Sequence, residues 1–337
     1  MAFQSYRIKV FCFFFSKKKP SFVALMLGQP GDGVPRGNVE NDKLVGMIAD
    51  ISEVAVLLGE QRSLVGIVTR PGTPPPPGDP AIVILNAGVI HRVGHHRMAV
   101  TMSRTLARAG YLTLRFDFSG IGDSEPSSDK LSPVESCLAD IKHTLDWLEQ
   151  NSEVSRIILV GLCSGADHAI LYGHTDARVV ALVLMDPSFP ATARYYLHSI
   201  ARQLMRLRNW SKLLTGRSRL VKMWVEQLLC SVLPKWRSRP ITIGNIQFHA
   251  YLEQCYKSSV EHGIQMLAVL TEDTTRQTYR EQMIDAFPNV SFGTKLRLEW
   301  LPGSDHTFMR EADRSRLNRL ILEWLESQKY HDRSTSS

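Results

Sequence analysis

A cysteine between two glycines is the residue best placed to do chemistry in this chain of 337 residues. Residues 157–166 read Ile-Ile-Leu-Val-Gly-Leu-Cys-Ser-Gly-Ala, so an apolar, β-branched run ends at Gly161 and a helical pattern follows Gly165. A strand that turns sharply into a helix pushes the residue at the apex above the sheet, and the residues two before and two after it must lack bulk. The amino end of the helix favours negative charge, which suits a thiolate and an oxyanion. The run therefore predicts a nucleophilic thiol at Cys163.

Two residues compete for the apex of this turn. With Ser164 at the apex, the flanking residues would be Leu162 and Ala166, and leucine is too large for the strained turn. With Cys163 at the apex, both flanking residues are glycine. We therefore assign the apex to Cys163. A buried, inert thiol is the alternative, because free cysteines are among the most buried residues.

A thiol nucleophile needs a base and an orienting acid, which in a doubly wound sheet lie at the carboxyl ends of strands. The last apolar run leads into Ser304-Asp305-His306, and we expect His306 to be the base. The preceding strand ends in Glu272-Asp273, and we expect Asp273 to be the acid, with Glu272 as the runner-up. Asp305 ranks lower, because side chains that are neighbours in sequence diverge. The chain order nucleophile, acid, histidine is typical of this architecture.

An oxyanion formed at this thiol needs hydrogen-bond donors. One is the backbone N–H of Ser164, the residue after the nucleophile, and the second should come from the loop after the apolar run 81–85. In that loop Gly88 permits close approach of the backbone, and the N–H of Val89 is the predicted donor. The alternative is that Gly88 only makes a turn.

The elements that must position these residues alternate between strand and helix patterns. Residues 53–58 and 64–69 have the pattern of an opening β-hairpin, and the all-apolar run Ala81 to Leu85 is typical of a strand buried on both faces. Helical spacing is found at 98–109, 133–149, 275–287 and 312–328. The alternation predicts an α/β fold with a mostly parallel, doubly wound sheet.

A second loop carries a resemblance to a known superfamily. Residues 117–124 read Asp-Phe-Ser-Gly-Ile-Gly-Asp-Ser, which resembles the Asp-x-x-Gly-x-Gly-x-Ser loop of α/β-hydrolases. With the Gly-x-Cys-x-Gly turn, Asp273 and His306, the resemblance covers residues 50–328. Within the superfamily the chain is most similar to serine-aminopeptidase-like hydrolases and to hydrolases associated with exosortase systems. The apex cysteine resembles that of dienelactone hydrolases and polyhydroxyalkanoate synthases, and this departure from the aminopeptidase pattern argues against peptidase activity.

The resemblance implies an α/β-hydrolase core at residues 50–189 and 263–330, with a helical lid inserted at 190–262. Residues 1–49 have a different composition, and we expect a disordered extension there and a disordered tail at 331–337. The two apolar runs of the extension fall short of the ~20 residues that span a bilayer. A weak anchor at the membrane surface and an upstream start-site artefact are the alternatives for this region.

Basic charge is concentrated in one segment of the chain. The formal net charge is +7, and residues 191–240 carry eleven lysines and arginines against one acid, Glu226. A basic lid favours an anionic partner such as the phosphates of coenzyme A, an acidic acyl carrier protein or phospholipid head groups. A solvated helical face is the alternative. We expect no nucleic acid, because the tryptophans of the segment are better explained by packing.

Two further features bear on the site and its surroundings. The loop after the run 81–85, which contains Gly88 and Val89, is the predicted oxyanion loop. The basic cluster His91-Arg92 and His95-His96-Arg97 follows it, where the cluster could contact a substrate carboxylate or simply be solvated. The five cysteines are an odd number without metal-type spacing, which indicates a reducing, cytoplasmic location and no metal site. No cofactor is expected.

These residues predict acyl chemistry. The Cys163 thiolate would attack an acyl carbonyl, giving an oxyanion and then an acyl-thioester enzyme, while His306 protonates the leaving group and activates the acceptor. Water as the acceptor gives an ester or thioester hydrolase, which is the first hypothesis. An alcohol, amine or thiol gives an acyltransferase, and a non-catalytic binding protein of the same fold is the third hypothesis.

Overall fold

Eight strands form one mostly parallel sheet. The strands are β1 (Ile51–Leu58), β2 (Leu64–Pro71), β3 (Ala81–Leu85), β4 (Thr113–Phe116), β5 (Ile157–Leu162), β6 (Val179–Met185), β7 (Gln265–Thr271) and β8 (Leu296–Leu301). They lie in the order β1-β2-β4-β3-β5-β6-β7-β8. The β1–β2 and β2–β4 pairs are antiparallel and the other pairs are parallel. The predicted opening hairpin and the predicted fold class are confirmed.

The computed structural model describes residues 51–59, 63–128, 130–152, 154–192, 194–195, 198, 246–272 and 277–328. All of them belong to a unit that begins at Ile51. The predicted extension at 1–49 and the predicted tail at 331–337 lie outside these residues, as does most of the predicted lid at 190–262. The boundaries of these segments therefore stay predictions.

Helices cover both faces of the sheet, as a buried parallel sheet requires. They are α1 (Met98–Arg108), α2 (Pro133–Ser152), α3 (Ser164–Gly173), α4 (Ile246–Glu261), α5 (Gln282–Ala286) and α6 (Glu311–Ser327). Helices α2, α3 and α4 pack on one face of the sheet, and α1 and α6 pack on the other. Strand β5 alternates between the two cores, with Ile157 and Leu159 in the first and Ile158 and Val160 in the second. Because the central strands are parallel, their carboxyl ends lie at one edge of the sheet.

The last helix of the predicted lid packs as part of the core. Leu252, Cys255 and Tyr256 of α4 are at most 1% exposed, and they belong to the cluster that covers the α3 side of the sheet. Residues 201–245, which hold most of the basic charge predicted for the lid, lie outside the described part of the chain. Within that part, no helix is long and apolar enough to cross a membrane.

One predicted helix is shorter than expected. The pattern at 275–287 predicted a continuous helix, but among the described residues of this stretch the helix runs only from Gln282 to Ala286. The side-chain oxygen of Gln282 accepts the backbone N–H of Thr278 at 2.9 Å. A side chain that satisfies a backbone N–H offers the chain an alternative to helix, which explains the non-helical residues before Gln282.

Candidate active site

The turn between β5 and α3 has the geometry predicted for a nucleophile elbow. Cys163 lies between the strand and the helix with φ 55° and ψ −121°, a conformation that a residue other than glycine rarely adopts. A Cβ on Gly161 would lie 2.2 Å from the carbonyl carbon of Gly165, and a Cβ on Gly165 would lie 2.6 Å from the oxygen of Asn86. Both glycines are therefore required by close backbone contacts, and the residue at the apex is Cys163.

His306 connects the elbow to a buried carboxylate. Its Nδ1 lies 2.9 Å from Oδ2 of Asp186, and it also forms a hydrogen bond with the thiol of Cys163. The side chain of Asp186 is 2% exposed, whereas that of His306 is 24% exposed. The structure thus places an acid, an imidazole and a thiol in one chain of contacts, which is the arrangement that nucleophilic catalysis requires.

Asp186 is held in place by the neighbouring strand. It follows β6 directly, and its carboxylate accepts the N–H of Thr271 at 2.7 Å and the hydroxyl of Thr271 at 2.6 Å. Its backbone N–H donates to the oxygen of Val269 at 2.9 Å. Asp186 adopts φ 45°, a left-handed conformation that aspartate tolerates better than most residues. Thr271 therefore holds both carboxylate oxygens of Asp186, including Oδ2, the oxygen that faces His306.

Sequence analysis did not single out Asp186. The predicted acid, Asp273, lies outside the described residues, and the runner-up, Glu272, accepts the N–H of Gly303 at 3.1 Å. That contact ties the end of β7 to the turn that leads to His306. The sequence does carry a signal for Asp186, because it is the first residue after the buried strand β6 and so lies at a carboxyl strand end, as Glu272 and His306 do.

The hydrogen bonds of His306 stabilise its charged form. The hydrogen bond to Asp186 and then the one to Cys163 raise the pKa of His306 to about 10, although burial of the ring acts in the opposite direction. The imidazole is consequently protonated at neutral pH. A protonated imidazole beside a thiol favours the thiolate, which is the nucleophilic form.

This raised pKa makes a contribution to stability that depends on pH. The pKa of His306 is above its unfolded value of about 6.5, so the contribution is complete below pH 6.5 and is lost as pH rises toward 10. In a Cys163→Ala background, which removes the titration of the thiol, we expect His306→Ala to cost about 1–3 kcal/mol more at pH 6 than at pH 10. Urea denaturation of the two variants at both pH values measures this difference. An equal cost at both values would contradict the ion pair with Asp186.

The oxyanion loop lies against the elbow through a glycine amide. The N–H of Gly88 donates to Oγ of Ser164 at 2.6 Å. Val89, the predicted donor one residue later, is 84% exposed. The side-chain amide of Asn86 donates to the backbone oxygen of Ile90 at 2.7 Å, which closes the turn that contains Gly88 and Val89. The assignment of Val89 as the donor stays a prediction, while the contact observed between loop and elbow is made by Gly88.

The loop at 117–124 anchors the oxyanion loop through hydrogen bonds of buried Asp117. Asp117 is fully buried and accepts hydrogen bonds from the backbone N–H and the guanidinium of Arg92. A Cβ on Gly122 would lie 2.2 Å from an oxygen of Asp117, and Ser124 donates to the backbone oxygen of Asp117 at 2.7 Å. The motif therefore holds the oxyanion loop in position rather than contributing a reacting group.

The basic cluster after this loop contains a paired arginine and a histidine whose pKa is affected by the charge of His306. Arg92 forms ion pairs with Asp117 and Asp123, so its charge is already compensated within the chain. Burial, and then the charge of nearby His306, lower the pKa of His95. His95 therefore lies close enough to the site to respond to its charge. Contact between this cluster and a substrate carboxylate stays a prediction, because Arg92 is paired within the chain and the lowered pKa of His95 favours its neutral form.

A small cavity lies beside these residues. It has a volume of about 20 Å³, room for about one water molecule, and its lining includes His95, Met98, Met102, Leu162 and Met185. Leu162 precedes Cys163 and Met185 precedes Asp186 in the chain, but the thiol and the acid do not themselves line the cavity. In the described part of the chain, no group of three or more His, Cys, Asp or Glu side chains is arranged to hold a metal ion.

Comparison with known proteins identifies similar folds. Residues 80–242 match the family model described as "Serine aminopeptidase, S33". No curated protein sequence matches the chain. The fold is similar to that of an α/β-hydrolase from Penicillium sp. sh18, with a TM-score of 0.51, 15% identity, and coverage of 82% of this chain and 98% of that one.

Two further solved structures have similar folds. An esterase from Pyrococcus furiosus has a TM-score of 0.50 and 18% identity, over 87% of this chain and 96% of that one. A putative lipase from Acinetobacter baumannii AYE has a TM-score of 0.50 and 14% identity, over 88% of this chain and 99% of that one. At these identities the likeness concerns the fold, and the reaction has to be inferred from the site.

Proposed function

We propose that this chain is an α/β-hydrolase and that it hydrolyses a carboxylic ester or thioester through an acyl-cysteine intermediate. The proposed triad is Cys163 as nucleophile, His306 as base and acid, and Asp186 as the orienting acid. The observation that carries the proposal is His306, which contacts the thiol and the buried carboxylate at the same time. The strained backbone of Cys163 supports it, because such strain persists where function requires it.

The first half of the reaction acylates the thiol. The thiolate of Cys163 attacks the acyl carbonyl, a carbon–sulfur bond forms, and the carbonyl electron pair moves onto oxygen. The N–H of Ser164 and an N–H from the loop 87–89 stabilise this oxyanion. When the carbonyl re-forms, the bond to the leaving group breaks, and protonated His306 gives its proton to the departing oxygen or sulfur.

The second half regenerates the thiol. Neutral His306 takes a proton from water, the resulting hydroxide attacks the thioester, and the acid product leaves as Cys163 returns to the thiolate. Asp186 accepts a hydrogen bond from Nδ1 of His306 throughout, which keeps Nε2 toward the reacting groups. An acyl-thioester is more reactive than an oxygen ester, so an alcohol, amine or thiol acceptor would turn the same steps into acyl transfer.

The acyl donor is proposed to be small or attached to an anionic carrier. Residues 191–240 carry the excess of positive charge, which fits coenzyme A, an acyl carrier protein or a lipid head group. Acyl donors that carry phosphate groups are therefore the first to test.

Intact-protein mass spectrometry tests the proposed intermediate. After brief incubation with 4-nitrophenyl acetate or acetyl-coenzyme A at pH 7, we expect one added acetyl group, located on Cys163 by peptide mapping. The Cys163→Ala variant should not acquire it even on long incubation, whereas Ser164→Ala should still acquire it on Cys163 when given enough time. An adduct on Ser164, or a Cys163 thiol that iodoacetamide labels no faster than a free thiol, would exclude the proposed nucleophile.

The same experiment separates the competing functions. Decay of the adduct in water alone indicates a hydrolase. Decay that needs an added alcohol, amine or thiol indicates an acyltransferase. If no adduct forms with either donor and the thiol is unreactive, the chain is better described as a binding protein with this fold.

A further inference from the structure

The hydroxyl of Ser164 occupies a position that its backbone role does not explain. Ser164 is the first residue of α3, directly after Cys163, and its Oγ accepts the N–H of Gly88 at 2.6 Å. The side chain thus spans the gap between the elbow and the oxyanion loop. Its oxygen lies where the two segments that surround a developing oxyanion meet.

Gly88 is held in this contact by the hydrogen bonds at the two ends of its loop. It adopts φ +57°, a conformation that suits glycine, and a Cβ there would meet no atom within 4 Å. The turn after it is closed by Asn86, and Arg92 ties the same loop to buried Asp117. The loop is therefore held at both ends, and the amide of Gly88 points at a defined place.

A hydroxyl that accepts one hydrogen bond still has its own hydrogen to donate. Acceptance from an amide polarises the O–H bond and strengthens the hydrogen bond that the hydroxyl donates in turn. The N–H of Gly88 donates its hydrogen bond to the hydroxyl of Ser164. The dipole of this amide can therefore stabilise charge on a bound carbonyl oxygen through that hydroxyl. The backbone N–H of Ser164 lies on the same residue, which gives one residue two donors near the thiol of Cys163.

We propose that the side-chain hydroxyl of Ser164 is a catalytic hydrogen-bond donor to the oxyanion and transmits the dipole of the Gly88 amide. The inference rests on the proposed function and adds one hydrogen-bond donor to the groups proposed to stabilise the oxyanion. As the carbon–sulfur bond forms and the carbonyl pair moves to oxygen, Oγ–H of Ser164 donates to that oxygen. No proton leaves Ser164, and the hydrogen bond weakens again when the carbonyl re-forms.

Acylation and alkylation of the same thiol distinguish this role. Acylation by 4-nitrophenyl acetate passes through an oxyanion, whereas alkylation by iodoacetamide does not. For Ser164→Ala we expect acylation of Cys163 to slow by ~10²-fold, the lower end of what loss of one oxyanion donor costs. Alkylation should stay within about twofold of the unmodified protein. Ser164→Thr keeps the hydroxyl and should recover most of the acylation rate.

A matched control is available at another helix start. Ser132 precedes α2, its Oγ accepts the N–H of Glu135 at 3.4 Å, and Ser132→Ala should leave both rates unchanged. Circular dichroism and the thermal midpoint of each variant show whether the fold is retained.

Two results with Ser164→Ala would overturn the inference. Acylation of Ser164→Ala at an unchanged or higher rate would mean that the hydroxyl is a bystander or blocks the site. Equal slowing of acylation and alkylation would mean that the substitution only disturbs the thiol. A wild-type thiol that neither acylates nor alkylates rapidly would instead refute the proposed function, and the inference with it.

Discussion

Replacing Asp186 by asparagine should lower kcat/KM for ester hydrolysis by about 10³–10⁴-fold, while the protein stays folded. Asparagine can keep the left-handed backbone of this position and can still accept the N–H of Thr271. Its NH₂ group, however, would face Nδ1 of His306 and stabilise the tautomer with the proton on Nε2. That tautomer cannot take a proton at Nε2. Steady-state hydrolysis of 4-nitrophenyl acetate, with rates normalised to folded protein, measures the loss.

The same series decides between the two candidate acids. Asp273→Asn should change kcat/KM by less than about threefold if Asp186 is the orienting acid, and it should be the damaging variant if the prediction from the sequence is correct. The raised pKa of His306 gives a second readout. Asp186→Asn should bring the imidazole, followed by NMR, back toward its usual titration range, because the hydrogen bond to Asp186 is the main cause of the raised pKa.

Replacing Gly161 by alanine should disrupt the elbow itself. The added methyl group would lie 2.2 Å from the carbonyl carbon of Gly165, 2.3 Å from its oxygen and 2.4 Å from the nitrogen of Ala166, all of them backbone atoms. Backbone cannot give way as a flexible side chain can, so α3 would have to move away from β5. We expect a loss of ~3 kcal/mol or more in the free energy of unfolding, and acylation slowed at least ~100-fold in the protein that folds.

A second glycine provides the control for backbone conformation. Gly78 has φ +88° and open space around it, so Gly78→Ala carries a conformational cost of ~1 kcal/mol without a steric clash. Its acylation rate should not change. Urea denaturation and acylation rates of the two variants separate the effect of crowding from that of backbone strain. A Gly161→Ala protein with normal stability and rate would show that the turn is looser than these distances indicate.

Two of the three residues of the candidate triad could be predicted from local sequence patterns. The elbow was predictable because its requirements are local: an apolar strand, two small residues two positions from the apex, and a helix that follows at once. His306 was predictable as the histidine that follows the last strand. The sheet itself was predictable because apolar runs and helical spacing alternate along the chain, and alternation of this kind leaves few topologies.

The sequence by itself thus determined the fold class, the residue at the apex and the candidate base. Only the tertiary structure decided which acid meets the histidine. Both Asp186 and Asp273 follow buried parallel strands, and both lie between the cysteine and the histidine in chain order, so neither rule separates them. The choice depends on strand neighbours: β6 lies between β5 and β7, and this brings Asp186 beside Thr271 and His306. The link between Gly88 and Ser164 has the same origin, because residues 76 positions apart meet only where β3 and β5 pair in the sheet.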